Sequence, residues 1–206
     1  MTAFDPSKHW ENVYATKALE QVSWYQSIPT TSLEFVKQFN LPTDAKIIDI
    51  GGGDSYLVDH LLDLGYTDIT VLDISAKALE RAKQRLGNQA ENVTWLVADA
   101  ALFQPTGQYD FWHDRAAFHF LTNWDDVNRY IETVGKAVKP NGHLVIGTFA
   151  EDGPEKCSGL FVKRYSKDGL VEALKAHFEK IECVDVHHST PFNTVQHFVF
   201  CSFKHV

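Results

Sequence analysis

Four points in this chain place an acid or an imidazole at the end of an apolar run. Asp49 closes Lys46-Ile47-Ile48, and Asp73 closes Ile69-Thr70-Val71-Leu72. Asp99 follows the run 93–97, and His113-Asp114 follows Tyr109-Asp110-Phe111-Trp112. Carboxylates set at such ends accept hydrogen bonds from hydroxyl and ammonium donors. Just after the first lies Gly51-Gly52-Gly53-Asp54-Ser55, where glycines let backbone approach a ligand closely. The second acid follows about twenty residues later, the spacing at which a carboxylate takes both hydroxyls of a ribose. These residues describe a nucleotide-binding crevice.

The ligand is narrowed by what surrounds the glycines. A dinucleotide turn wants a third glycine, but Tyr56 stands there. A phosphate loop wants a lysine that is absent. Asp49 and Asp54 would repel a pyrophosphate, whereas they suit a ligand bearing an ammonium and a sulfonium, which points to S-adenosylmethionine. A nicotinamide dehydrogenase is disfavoured further, because the chain has no Tyr-x-x-x-Lys pair.

Positioning these residues requires alternating strands and helices. Strands are expected over 46–50, 69–73, 93–97, 109–113 and 143–149, the last nearly all apolar, as a strand buried on both faces should be. Ser75, Asn123 and Ser166 are placed to cap helices, and Gly65 and Gly87 to end them. Two last strands, 181–187 and 195–203, are joined too tightly for a crossover and should pair antiparallel. The expected fold is α/β: a doubly wound, Rossmann-like, mostly parallel seven-stranded sheet with a C-terminal antiparallel hairpin. Leu41-Pro42-Thr43-Asp44 breaks an amphipathic helical stretch, so residues 1–44 are read as an N-terminal helical lid and 45–206 as the core.

Composition limits the partners. A net charge of −8 over 206 residues argues against a broad nucleic-acid surface. No apolar run approaches the roughly 18 residues of a membrane helix. Three widely spaced cysteines are not a disulfide framework, which makes a cytoplasmic setting the default. Cys183 and Cys201 read as small core residues and Cys157 as an accessible loop thiol. Ten histidines include no H-x-x-x-H pair and there is no C-x-x-C pair, so no metal site is expected.

Taken together, these motifs resemble a class I S-adenosylmethionine-dependent methyltransferase of the small single-domain type, over nearly the whole chain. The resemblance implies that the backbone of Gly51 and Gly53 lies against the methionine moiety of the cofactor, with Asp49 ordering the glycine loop. It implies that Asp73 binds the ribose, Ile74 packs on adenine, and Asp99 with Ala100 meets the adenine edge. A backbone carbonyl at His113 would accept from the ammonium. His9-Trp10-Glu11-Asn12-Val13-Tyr14 and Val22-Ser23-Trp24-Tyr25 resemble the lid of small-molecule methyltransferases, which puts Trp10, Tyr14 and Trp24 over the cofactor. The segment 109–117 is similar to that of thiopurine and tellurite-type enzymes, which methylate thiols and chalcogens.

For catalysis, Arg115 is expected to orient the acceptor while held by Asp114, with His119 as a candidate base. The expected activity is methyl transfer to a small molecule, with a thiol or chalcogen nucleophile favoured. A protein lysine methyltransferase and a non-catalytic binding module are the alternatives.

Overall fold

The runs that end in acids are the strands of one sheet. The computed structural model describes residues 4–206. Its strands are β1 (Lys46–Ile50), β2 (Asp68–Asp73), β3 (Val93–Val97), β4 (Tyr109–Arg115), β5 (Val138–Phe149), β8 (Phe178–Ser189) and β9 (Val195–His205). A separate small ribbon, β6 (Lys156–Cys157) with β7 (Leu160–Phe161), lies in the loop after β5. The sheet runs β3-β2-β1-β4-β5-β9-β8, parallel except where β9 pairs with β5 and β8. The order reverses between β1 and β4, the kind of point where open α/β sheets bind ligands.

Helices α1 (Pro6–Thr16), α2 (Thr30–Phe39), α3 (Leu57–Asp63), α4 (Ala76–Leu86), α5 (Trp124–Ala137) and α6 (Lys167–Leu174) complete the fold. The capping residues act as their types demand. Ser75 Oγ accepts from the Ala78 N–H (3.1 Å) and Asn123 Oδ1 from the Asp126 N–H (2.9 Å). Ser166 Oγ accepts from the Gly169 N–H (3.1 Å).

Strand alternation sends side chains to two cores. Trp112, Tyr130, Leu170 and Phe203 pack on one face, under α5 and α6. Phe111, Phe200, Leu61 and Leu79 pack on the other. Leu33, Phe35 and Val36 of α2 belong to this second core. By packing, α2 therefore joins the same apolar body as the sheet residues Ile47 and Phe111.

Three local expectations change. β4 runs on to Arg115, and β5 begins at Val138 and takes in the Pro140-Asn141-Gly142 turn. Cys157 is buried rather than accessible. Cys183 and Cys201 are not independent core residues but a disulfide. They face each other directly in the β8–β9 register with Cα atoms 4.1 Å apart. Cross-strand neighbours on one face of a hairpin come this close whatever their separation in sequence. Reduction removes a constraint on the unfolded chain worth about 2–4 kcal/mol. A phosphine reductant is expected to lower the melting temperature by roughly 5–10 °C, a shift read by calorimetry with and without it. An unchanged melt would mean that the link adds nothing to stability. Among the described residues, no helix is long and apolar enough to cross a membrane.

Candidate active site

Asp73 and Asp99 line one cavity at the carboxyl ends of the strands, and Asp49 and His113 line a smaller one that shares Gly51 and Arg115 with it. Asp73 tips β2 and is buried, with Oδ1 accepting from the Ser75 N–H at 2.8 Å. No donor among the described residues reaches its Oδ2. Burial is the main reason its carboxyl is pushed up to about 7. Gly53, at φ +42°, sits so close that a Cβ there would lie 2.7 Å from Asp73 Oδ2. A Cβ at Gly51 (φ +66°) would lie 2.7 Å from the Ala117 Cβ. Ile74, Asp99 and Ala100 line the same cavity. Asp99 Oδ1 is engaged by the Ala101 N–H at 2.9 Å, which fixes the turn after β3. A buried carboxylate with a free oxygen, apolar walls and glycine backbone fits the adenosine half of S-adenosylmethionine.

Asp49 and His113 are brought together by the β1–β4 register, which pairs them directly. Asp49 Oδ1 lies 2.7 Å from His113 Nδ1, and His113 Nε2 lies 2.9 Å from Ser32 Oγ of α2. All three are buried. The imidazole of His113 thus ties α2 to the glycine turn, a role its backbone carbonyl did not suggest. Asp54 does not face the ligand side as a free acid. Arg81 Nε meets its Oδ2 at 2.9 Å and Arg85 pairs with its Oδ1. Arg85 also holds Asp59 (2.9 Å) and donates to the Ser55 carbonyl (2.8 Å), pinning the turn from outside. The acidity felt at the crevice is that of Asp49 and Asp73.

Trp10, Tyr14 and Trp24 do reach the cavity wall. The Trp10 ring lies 5.8 Å from Trp24 and 5.1 Å from Phe120. Their segment is fastened to α4. Arg81 Nη1 donates to the carbonyls of Tyr14 (3.1 Å) and Lys17 (2.8 Å), and Glu11 accepts from the Lys77 N–H (3.2 Å). Burial, with Asp73 and Asp54 nearby, raises the Tyr14 phenol well above its ordinary value. It therefore remains a donor.

The expected catalytic group does not assemble as one unit. Asp114 does not hold Arg115. Neighbours in a strand point to opposite faces, and Asp114 faces α5 while Arg115 faces the cavity. Asp114 is fully buried, accepting from the Tyr130 hydroxyl (2.6 Å) and the N–H groups of Ala117 and Phe118 (both 3.0 Å). Arg115 lines the cavity and donates through Nη2 to the Trp24 carbonyl at 2.9 Å. His119 is fully buried against Phe149 and does not line the cavity. Burial, with Arg115 nearby, brings it down to about 3, so it stays neutral at physiological pH.

Several wall residues escaped the sequence reading. Phe149, Cys157, Gln196 and Phe198 line the same cavity. Gln196 and Phe198 come from the hairpin strand, whose alternation offered a faint signal. Ala116, at φ +66°, turns the chain after Arg115 and carries no signal at all. Cys157 is pushed up to about 11, mainly by burial, so its thiol stays protonated.

With this geometry in place, the chain can be set beside known proteins. Residues 48–144 match the family described as "Methyltransferase domain". The eEF1A lysine and N-terminal methyltransferase of Mus musculus is 24% identical over 72% of this chain and 22% of its own length. The malonyl-[acyl-carrier protein] O-methyltransferase of Anoxybacillus flavithermus is 33% identical over 51% of this chain and 39% of its own. The chain thus spans well under half of the length of these curated relatives. Among solved structures, the N-methyltransferase NodS of Bradyrhizobium japonicum, in complex with S-adenosylhomocysteine, superposes with a TM-score of 0.71 at 16% identity. The match covers 98% of this chain and 99% of that one. The sequence match thus places residues 48–144 in a methyltransferase domain, and the whole chain shares the Rossmann-like fold of these structures.

Proposed function

We propose that this chain transfers the methyl group of S-adenosylmethionine to a small-molecule acceptor that arrives already deprotonated, a thiol or chalcogen being the favoured nucleophile. The observation that carries this is the composition of the acceptor side. Trp10, Trp24, Phe120, Phe149 and Phe198 make an aromatic enclosure under the N-terminal segment. Three groups near them do not serve as bases. Tyr14 and Cys157 hold their protons, and His119 is turned away into the core.

When bound, the cofactor supplies an electrophilic methyl and a sulfonium leaving group. A thiolate needs no base in such a displacement: its electron pair forms the new carbon–sulfur bond, and the breaking pair stays on the departing sulfur. The protein is left to align the partners and exclude water. Asp73 would hold the ribose, and Asp49, fixed by His113, would face the ammonium. The aromatic walls would orient the acceptor. The short likeness of residues 109–117 to thiopurine and tellurite-type enzymes favours the same acceptor chemistry.

Incubation with methyl-labelled S-adenosylmethionine and a panel of thiols, selenide, amines, phenols and carboxylates tests this reading. Labelled thioether or selenoether is the expected product. Label appearing only in added protein would move the function to a protein acceptor. Tight cofactor binding without turnover of any acceptor would make the chain a binding module.

A further inference from the structure

Among the described residues, Arg115 is the one cation that lines this cavity, and no carboxylate forms an ion pair with it. Among the described residues it enters no ion pair, and a guanidinium offers five N–H donors of which the Trp24 carbonyl takes one. Asp49, whose charge acts on the guanidinium, is committed to His113. The Phe198 ring lies 5.8 Å from the guanidinium carbon, so one flank of the fork is dry. Two residues earlier on the same face of β9 stands Gln196, 9% exposed, whose Oε1 has no partner. Both side chains line the cavity. A desolvated guanidinium without an anion and a buried amide oxygen without a donor are each costly to leave alone. Set into one cavity walled by aromatic rings, on strands either side of β5, they describe the ligand that completes them.

We propose that the acceptor is a carboxylic acid on a flat, apolar frame. Its carboxylate docks on Arg115 in the fork geometry that guanidinium groups favour, and a neighbouring O–H, N–H or S–H donates to Gln196 Oε1. This rests on the methyltransferase reading and gives it a substrate class. The carboxylate is the recognition handle, and it gives Arg115 the ion-pair partner that no protein carboxylate supplies.

The test uses the full chain saturated with S-adenosylhomocysteine, with benzoate and benzamide as probes that differ in charge but hardly in shape. Isothermal titration or ligand-observed NMR should find benzoate bound at least tenfold more tightly than benzamide. Arg115→Met should erase that preference, and Gln196→Glu, which sets a second anion beside the first, should do the same. If Arg115→Met fails to fold, Gln196→Glu and the wild-type ratio still decide. Equal binding of the two probes, or a preference that survives Gln196→Glu, overturns the proposal.

The competing role for Arg115, holding the cofactor's own carboxylate, is separated by a second pair of probes. It predicts that Arg115→Met weakens S-adenosylhomocysteine more than tenfold and leaves 5′-methylthioadenosine, which lacks the amino acid, untouched. That result also overturns the proposal. The broader reading fails differently, by an absence of any S-adenosylhomocysteine binding to the wild type.

Discussion

Asp73→Asn is expected to stabilise the ligand-free protein at pH 8 and at the same time to cripple cofactor binding. Burial, as the largest cause, lifts the folded-state pKa of Asp73 to about 7 from an ordinary 3.8. Between those values the folded chain holds a proton that the unfolded chain has released. Stability therefore falls as pH rises through this window, and the whole penalty is present above it. Three units correspond to at most about 4 kcal/mol, and a realistic gain for the neutral isostere is on the order of 2 kcal/mol.

Asparagine should accordingly melt several degrees above wild type at pH 8, with the gap closing near pH 4. The ligand works in the other direction. Ribose hydroxyls would donate to a charged carboxylate, and losing those bonds costs about 1–3 kcal/mol, a roughly tenfold to hundredfold weaker affinity. Wild-type affinity for S-adenosylhomocysteine should also tighten as pH rises through 7. Melting curves at pH 4 and pH 8, with and without S-adenosylhomocysteine, read all of this. A variant that melts like wild type at pH 8, or one that keeps the full ligand-induced shift, would remove Asp73 from the ribose site.

The parts legible in the sequence share a physical origin. Apolar runs, capping serines and glycine stops act within a few residues of themselves. β1 to β3 and the starts of α4 and α5 could therefore be read locally, as could the convergence of Asp49, Asp73, Asp99 and His113 on one rim. What was not legible depends on who lies across a strand. Asp114 and Arg115 are adjacent in sequence, which invites an ion pair, yet the period of two sends them to opposite faces of β4. Cys183 and Cys201 look unrelated until the hairpin register sets them opposite one another. Gln196 and Phe198 enter the cavity only because β9 is inserted beside β5, and nothing local announces that order. The amphipathic pattern of α2 was visible, but its docking against Phe111 and its bond to His113 were not.

Asp114 now makes a different experiment from the one its position beside Arg115 suggests. Its carboxylate gathers the Tyr130 hydroxyl and two backbone N–H groups, and that hydroxyl in turn accepts from Trp112 Nε1 at 3.0 Å. Asp114→Ala leaves those donors buried without an acceptor, a loss on the order of 3–5 kcal/mol. In a domain of this size that lowers the melting temperature by roughly 10 °C. Asn keeps an acceptor for the backbone donors and should lose clearly less than Ala. The damage should reach the cofactor, because the turn held by Asp114 carries Ala117, whose Cβ lies 2.7 Å from where a Cβ at Gly51 would fall. S-adenosylhomocysteine affinity should therefore drop together with stability, in the same rank order of variants. A residue that touched the acceptor would behave otherwise. It would cost turnover in Asp114→Asn while melting temperature and S-adenosylhomocysteine affinity stayed at wild-type values. Thermal melts, ligand titrations and turnover of the three proteins distinguish these outcomes, and the second pattern would return Asp114 to the catalytic group.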